Sequence, residues 1–397
     1  NVSLLHDTIS HGFRSTDYVG GRTPVQQILL DAAAKITDST ASQLPSTSTL
    51  RRTVRRQRQR ATFVYDIPPS REDIHLPPEF KVNFKQEAFL LHDSGEGDVN
   101  RIILFPTKRN LECLGSAAAW FCDGTFKVVP SLFFQLYTLH ALKNGIVVPM
   151  VYGLLPNKTE KTYRRFFSVV IDNVGPCAVR VLYTDFETAA INAARDVISD
   201  IRIQGCFFHL AQSVHRKLCT LGFQARYGTD EAFAVKMKML PVLAFLPVEA
   251  IPEAFQDLLE VFPQEAIGLA NYFEDVYVGR PRRNGVSSAQ FPPKLWSVYE
   301  AALDGMPRTN NSVEAWHYGL QSNVRCTSPN IWVFLDSLKK EQALSEMKLS
   351  QAASGVTATR VSRKQEAFNK RLQRILGRYD GTDNMDILEA CARSITL

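Results

Sequence analysis

Residues 117–129 read AAAWFCDGTFKVV, and two further apolar runs follow closely, FFQLYTLHAL over 133–142 and VVPMVYGLL over 147–155. All three are rich in Phe, Val, Tyr and Leu, which suit a pleated, half-buried surface, so each is expected as a strand. Asn144-Gly145 stands between the last two, and this pair accepts the positive φ that a tight hairpin turn demands. Three strands joined so briefly pair as a meander. Into the first of them the chain inserts an acid, Asp123.

Working outward, EAFLLHD (87–93) and RIILFPT (101–107) flank Ser94-Gly95-Glu96-Gly97-Asp98 and are expected as two more strands around a Gly-containing loop. Downstream, Tyr163, Phe166, Phe167, Val170, Ile171 and Val174 step by three and four along residues 159–175, one face of a helix, with Thr159 and Thr162 as N-terminal signals. AVRVLYTDFE (178–187) is a buried strand, ETAAINAARDVIS (187–199) a helix, and IRIQGCFFHL (201–210) returns to strand. Three strands, helix, strand, helix, strand make an α/β fold: a mixed sheet covered by helices, in the ribonuclease H-like order. The rest divides by composition. A helix (24–36), a Ser/Thr-rich linker and an arginine-rich arm fill 1–76, and the core begins at 77, at the second of two proline pairs. Its first part runs over 77–213, an all-helical insertion over 214–303, the second part of the core over 304–345, and a basic helical tail over 346–397.

Of 397 residues, 45% are hydrophobic and 22% charged, ordinary for a folded chain with a sizeable core. The longest apolar stretch, 121–156, is broken by charged and polar residues, so no membrane span is expected. The net charge is +6, and the block RRTVRRQRQR (Arg51, Arg52, Arg55, Arg56, Arg58, Arg60) holds all of the excess. Seven scattered cysteines with no CxxC argue against a disulfide framework and for a reducing, intracellular location. The opening NVSLLHDTISHGF has neither an initiator Met nor a signal-peptide pattern, which is expected of a piece cut from a longer protein.

Two acids interrupt buried strands, Asp123 and Asp185, and a buried carboxylate is costly unless paired or metal-bound. A turn or cap role would explain one such residue. Two on strands side by side point to a hard-cation site, because a divalent ion removes their repulsion and acidifies a bound water. A third acid is expected from a helix across the sheet. RTNNSVEAWHYGL (308–320) offers Glu314, with Asn310 and His317 on the same face and Arg308 just before it.

These stretches together resemble the transposases of Mutator-like elements, the MULE family, whose core is a ribonuclease H-like DDE nuclease. The resemblance rests on DGTFKVVP (123–130), FQLYTLHAL (134–142), VVPMVYGLLPNKTEKTY (147–163), LYTDFETAAINA (182–193), GCFFHLAQSVHRK (205–217), PRTNNSVEAWH (307–317) and PNIWVFLDSLKKEQ (329–342), in that order. It implies that Asp123, Asp185 and Glu314 are the catalytic metal ligands for two Mg²⁺ or Mn²⁺ ions, Asp123 bridging both. It further implies metal-dependent cleavage and strand transfer at transposon ends, with double-stranded DNA (terminal inverted repeats and target) as partner, a homo-oligomer, and a nuclear location. The family's Cys-x-x-His element falls on Cys206 and His209. The pair is half a zinc site at most, so zinc is not expected; Cys206 as apolar filler, His209 as a backbone-bonding residue, and a role for either in holding DNA or the Glu314 helix all stay open. His317 reads equally as a partner of the acids and as a surface histidine. Trp120, Phe121 and Phe126, which flank Asp123, are expected in the core rather than as a base-stacking platform, and Glu187 as a helix start or an auxiliary ligand.

For holding DNA, the arginine block reads as an import signal, a phosphate-binding arm or a solvated linker. Arg371 and Arg374 in a second basic stretch, and Arg282 and Arg283 near Arg280, are further backbone-contact candidates. The family's upstream FLYWCH finger has no counterpart before residue 77, where only His6 and His11 hint at one. That favours the alternative to an active transposase, a host-recruited, transposase-derived DNA-binding or regulatory protein without cutting activity.

Overall fold

A computed structural model of the chain describes residues 46, 48–53, 65–282, 285–286, 289–324, 327–355 and 363–395. The helix expected over 24–36, together with His6, His11, Arg55, Arg56, Arg58, Arg60 and Arg283, lies outside the described residues.

A seven-stranded mixed sheet forms around the stretch 117–129. Its strands are β1 (His92–Asp93), β2 (Ile103–Phe105), β3 (Ala119–Thr125), β4 (Gln135–Lys143), β5 (Ile146–Leu155), β6 (Val181–Thr184) and β7 (Arg202–Gly205), in spatial order β1-β2-β5-β4-β3-β6-β7. The expected meander is β3-β4-β5, antiparallel throughout. Asn144 (φ 49°) and Gly145 (φ 78°) supply the two left-handed residues that let Lys143 pair directly with Ile146. Strands β6 and β7 join in parallel beside β3, each reached through a helix.

The helices α1 (Lys108–Gly115), α2 (Glu160–Val174) and α3 (Thr188–Val197) cover one face. The Thr159 hydroxyl caps α2 by accepting from the Thr162 N–H, as its position in the sequence implies. Phe166 and Phe167 of α2 pack on Tyr137 of β4. After β7 the chain runs through α4 (Phe207–Thr220), α5 (Gln224–Thr229), α6 (Glu231–Val242), α7 (Ile251–Glu260), α8 (Ile267–Phe273), the two-residue strands β8 (Pro281–Arg282) and β9 (Gly285–Val286), and then α9 (Pro293–Trp296) and α10 (Tyr299–Leu303). The helices α11 (Asn311–Val324) and α12 (Ile331–Ala353) return to the other face of the sheet, where Leu335 and Leu338 share a core with Phe105, Tyr152 and Leu154. Finally come α13 (Arg363–Leu376) and α14 (Asn384–Ser394).

Three expectations need correction. The insertion is not wholly helical, because β8 and β9 form a small antiparallel pair within it. The C-terminal segment is not a tail: Leu372, Leu376, Leu388 and Cys391 are buried in the same core as the insertion helices, so one face of α13 and α14 is apolar and covered. The expected borders at 213/214 and 345/346 fall inside α4 and α12, where a continuous helix leaves no break in the chain. Among the described residues no helix is long and apolar enough to cross a membrane.

Candidate catalytic site

Pleat and register assemble the acids. In β3, Ala119 and Phe121 face α11, sharing a small core with Val181 and Tyr183 of β6 and Val313 of α11. Trp120, Cys122 and Leu182 point to the opposite core. Side chains alternate along a strand, so Asp123 follows Phe121 onto the α11 face, while Asp185 lies just beyond the end of β6. The parallel register ends at the Phe121–Tyr183 pair, and Asp123 and Asp185 follow two residues later, close enough for the Asp123 charge to raise Asp185. Directly behind the acids, the Phe121 and Tyr183 rings stack at 4.5 Å and 9°.

Helix α11 supplies the third acid, and Asn310 fixes its start. The fully buried Asn310 carbonyl accepts from Val313 and Glu314 N–H at 2.8 and 3.0 Å. Its side-chain amide donates to the Cys122 carbonyl, one residue before Asp123, at 3.2 Å. Its backbone N–H donates to the Cys206 sulfur at 3.2 Å. Val313 then plugs into the small core, and Glu314 and His317 turn toward the acids.

Two imidazoles engage two of the three carboxylates. His209 Nε2 lies 3.2 Å from Glu314 Oε1, and His317 Nδ1 lies 3.5 Å from Asp123 Oδ2. Behind His317 runs a chain that the sequence reasoning missed: His317 Nε2 is 3.3 Å from the Thr138 hydroxyl, and His140 Nε2 is 3.0 Å from the same oxygen. Burial holds His140 well below the usual imidazole range, helped by the nearby His317, so it stays neutral. The signal was available, because Thr138 and His140 are polar breaks in an apolar strand just as Asp123 is. Lys158 was missed as well. It pairs with Glu187 at 3.0 Å, and Glu187 also accepts from the Tyr163 hydroxyl at 2.8 Å.

Asp185 carries the clearest electrostatic mark. Burial, then the charge of Asp123, then that of Glu187 push it up from 3.8 to about 7, against the opposing pull of Lys158 and Thr184. Burial also raises Glu314, with Asp123 adding to the rise and the two histidines opposing it. The charges thus press on one another at one end of the sheet, the condition a divalent cation relieves. Hard carboxylate oxygens suit Mg²⁺ or Mn²⁺. Among the described residues, however, no group of three or more His, Cys, Asp or Glu side chains is arranged to hold a metal ion.

The remaining expected residues divide. Cys206 is not on a strand but caps α4, and burial pushes its thiol up to about 11, despite backbone N–H groups of Asn310, His209 and Phe208 around the sulfur. Its sulfur serves Asn310 while His209 serves Glu314, so the two engage different partners. Arg308 does not face the acids: its guanidinium donates to Asn369 at 2.7 Å and lies near the Phe368 ring, tying α13 to the loop before α11. Phe126 is 45% exposed, not core, because the chain turns outward after β3. Glu187 stands at the N-cap position of α3, the helix start expected of it. Arg51 and Arg52 sit exposed in a helical segment over 48–53, and Arg371 and Arg374 are exposed on α13. Arg282 lies in β8, and Arg280 pairs with Asp275 and Glu274.

No curated protein matches the chain. A protein-family model, the MULE transposase domain, matches residues 119–213, a stretch that opens with β3 and holds Asp123, Asp185, Cys206 and His209, with Glu314 beyond it. Over that stretch, which carries the β3–β6 register and both aspartates, the chain is similar to the transposases of Mutator-like elements.

Proposed function

We propose that this protein is a DNA transposase that cuts DNA at transposon ends and joins it to a target, using Asp123, Asp185 and Glu314 to hold Mg²⁺ or Mn²⁺. The observation that carries the proposal is that Asp123, just past the β3–β6 register, lies within electrostatic reach of both Asp185 and Glu314, in a sheet whose strand order suits a ribonuclease H-like nuclease. Bound divalent ions would lower the pKa of an attacking water and neutralise charge on the scissile phosphate. The chain's own residues do the rest. Asn310 holds the α11 start against β3, His209 and His317 orient Glu314 and Asp123, and the stacked Phe121–Tyr183 pair keeps the strand ends from shifting. Double-stranded DNA with inverted-repeat ends, a multimer that brings two ends together, and a nuclear location follow from that activity.

A second reading, a transposase-derived DNA-binding protein that no longer cuts, is favoured by one observation: two of the three carboxylates engage histidines, and the acids close into no three-ligand cluster among the described residues. Strand transfer of a labelled inverted-repeat end by the purified protein in Mg²⁺ separates the two. Joined product supports the transposase; tight binding with no cleavage in either Mg²⁺ or Mn²⁺ would sink it in favour of the second.

A further inference from the structure

Two phenylalanines stand outside the core at the edge of the acid cluster. Phe126, three residues beyond Asp123, is 45% exposed, and Phe134, just ahead of β4, is 51% exposed. Their neighbours explain why they cannot turn in. Phe133 and Gln135 are buried, so alternation sends Phe134 outward, and the Phe134 N–H is fixed by the Leu155 carbonyl at 2.9 Å. The two rings meet edge to face at 5.5 Å and 66°. The Lys158 ammonium lies 4.6 Å from the centre of the Phe126 ring, and its charge also acts on Asp185. Leaving half of such a ring in water forgoes part of its burial, and here two are held out together.

We propose that Phe126 and Phe134, with Lys158 beside them, form a stacking platform for one unpaired nucleobase of the DNA strand entering the acid cluster, a site that rests on the proposed nuclease function. Base faces in a duplex are covered by their neighbours, so the occupant is a single-stranded or extruded nucleotide. An aromatic surface takes its ring whatever its identity, and a cation within a few ångströms matches its phosphate. The platform therefore acts on DNA shape rather than sequence and selects an opened strand end over closed duplex.

The probe is an oligo-dT strand carrying one 2-aminopurine, read by fluorescence quenching and binding in Ca²⁺. The parent protein should quench the probe. The double variant Phe126→Ala, Phe134→Ala should abolish the quenching and weaken binding about five- to a hundredfold. Phe126→Tyr should keep the quenching and Phe126→Leu, which retains apolar bulk without a ring, should lose most of it. Both phenylalanines are exposed, and an unchanged thermal melt checks that the fold survives. Quenching and affinity equal to the parent's in the double variant would overturn the platform. Asp123→Asn keeps the two ideas apart: if it quenches like the parent, the platform stands even where the parent cuts no DNA in Mg²⁺, the result that removes the nuclease function alone.

Discussion

Two clusters of buried polar side chains touch the same sheet, and they handle carboxylates in opposite ways. Where α12 packs on β5 and α1, Glu346 is 4% exposed, and burial alone would raise it. Lys85 at 2.6 Å and the Gln342 amide at 2.9 Å outweigh that, leaving it below the usual range. Gln342 also exchanges two hydrogen bonds with Asn110, each 2.9 Å, and Asn110 reaches the Met150 carbonyl at 2.9 Å. Every charge there has its counterpart, so the cluster locks a helix in place. At the β3–β6 end, Asp185 faces two other carboxylates and is driven to about 7. A satisfied cluster stabilises the fold; a crowded one stores unfavourable interaction that a bound cation would release.

The largest expected effect breaks the crowded side. Asp123→Asn should reduce Mg²⁺-dependent strand transfer by at least about a thousandfold, since metal-assisted charge stabilisation supplies several kcal/mol, while the variant still melts as a folded protein. Parent-like transfer by that variant would show that the acids are not the catalytic set.

Asp185→Asn sharpens the comparison through pH. Because the folded value lies above the unfolded one, the folded protein holds a proton between roughly pH 4 and 7 that the unfolded chain has lost, so the parent loses stability as pH rises through that window. The metal-free variant should therefore melt higher than the parent at pH 8, by at most about 4 kcal/mol, with the gain vanishing below about pH 4. A gain that grew toward acid pH would contradict the crowding.

On the satisfied side, Gln342→Leu strands Asn110 and Glu346 and should cost about 1–3 kcal/mol in denaturant titration, with strand transfer per folded molecule unchanged. The smallest effect lies outside both clusters. Deleting residues 51–60 should weaken DNA binding and flatten its dependence on salt, leaving cleavage at saturating DNA intact; loss of cleavage there would place the arginines in the chemistry.

Much of the crowded cluster was legible in the sequence, because an acid inside an apolar strand is a local contradiction that any reader can see. The runs 117–129 and 178–187 each hold one, and the turn signal at Asn144-Gly145 fixed which strands pair. The same rule applied to Thr138 and His140 would have found the chain behind His317. Other features depended on contacts distant in sequence. The charge on Arg308 gave no hint that it would donate to Asn369, and the basic surface of α13 concealed the buried Leu372 and Leu376 on its other side. Phe126 was misread because an apolar residue near a strand gives no sign of where the strand ends.

The Asn310 clasp has a consequence for when the three carboxylates come together. It joins Cys122, Cys206 and the first turn of α11, three points that the growing chain delivers far apart in time. A nascent protein has both aspartates and most of its sheet long before Glu314 leaves the ribosome. The third carboxylate arrives only after the insertion helices have been made. The order of synthesis thus keeps Glu314 away from the two aspartates until the insertion has been made.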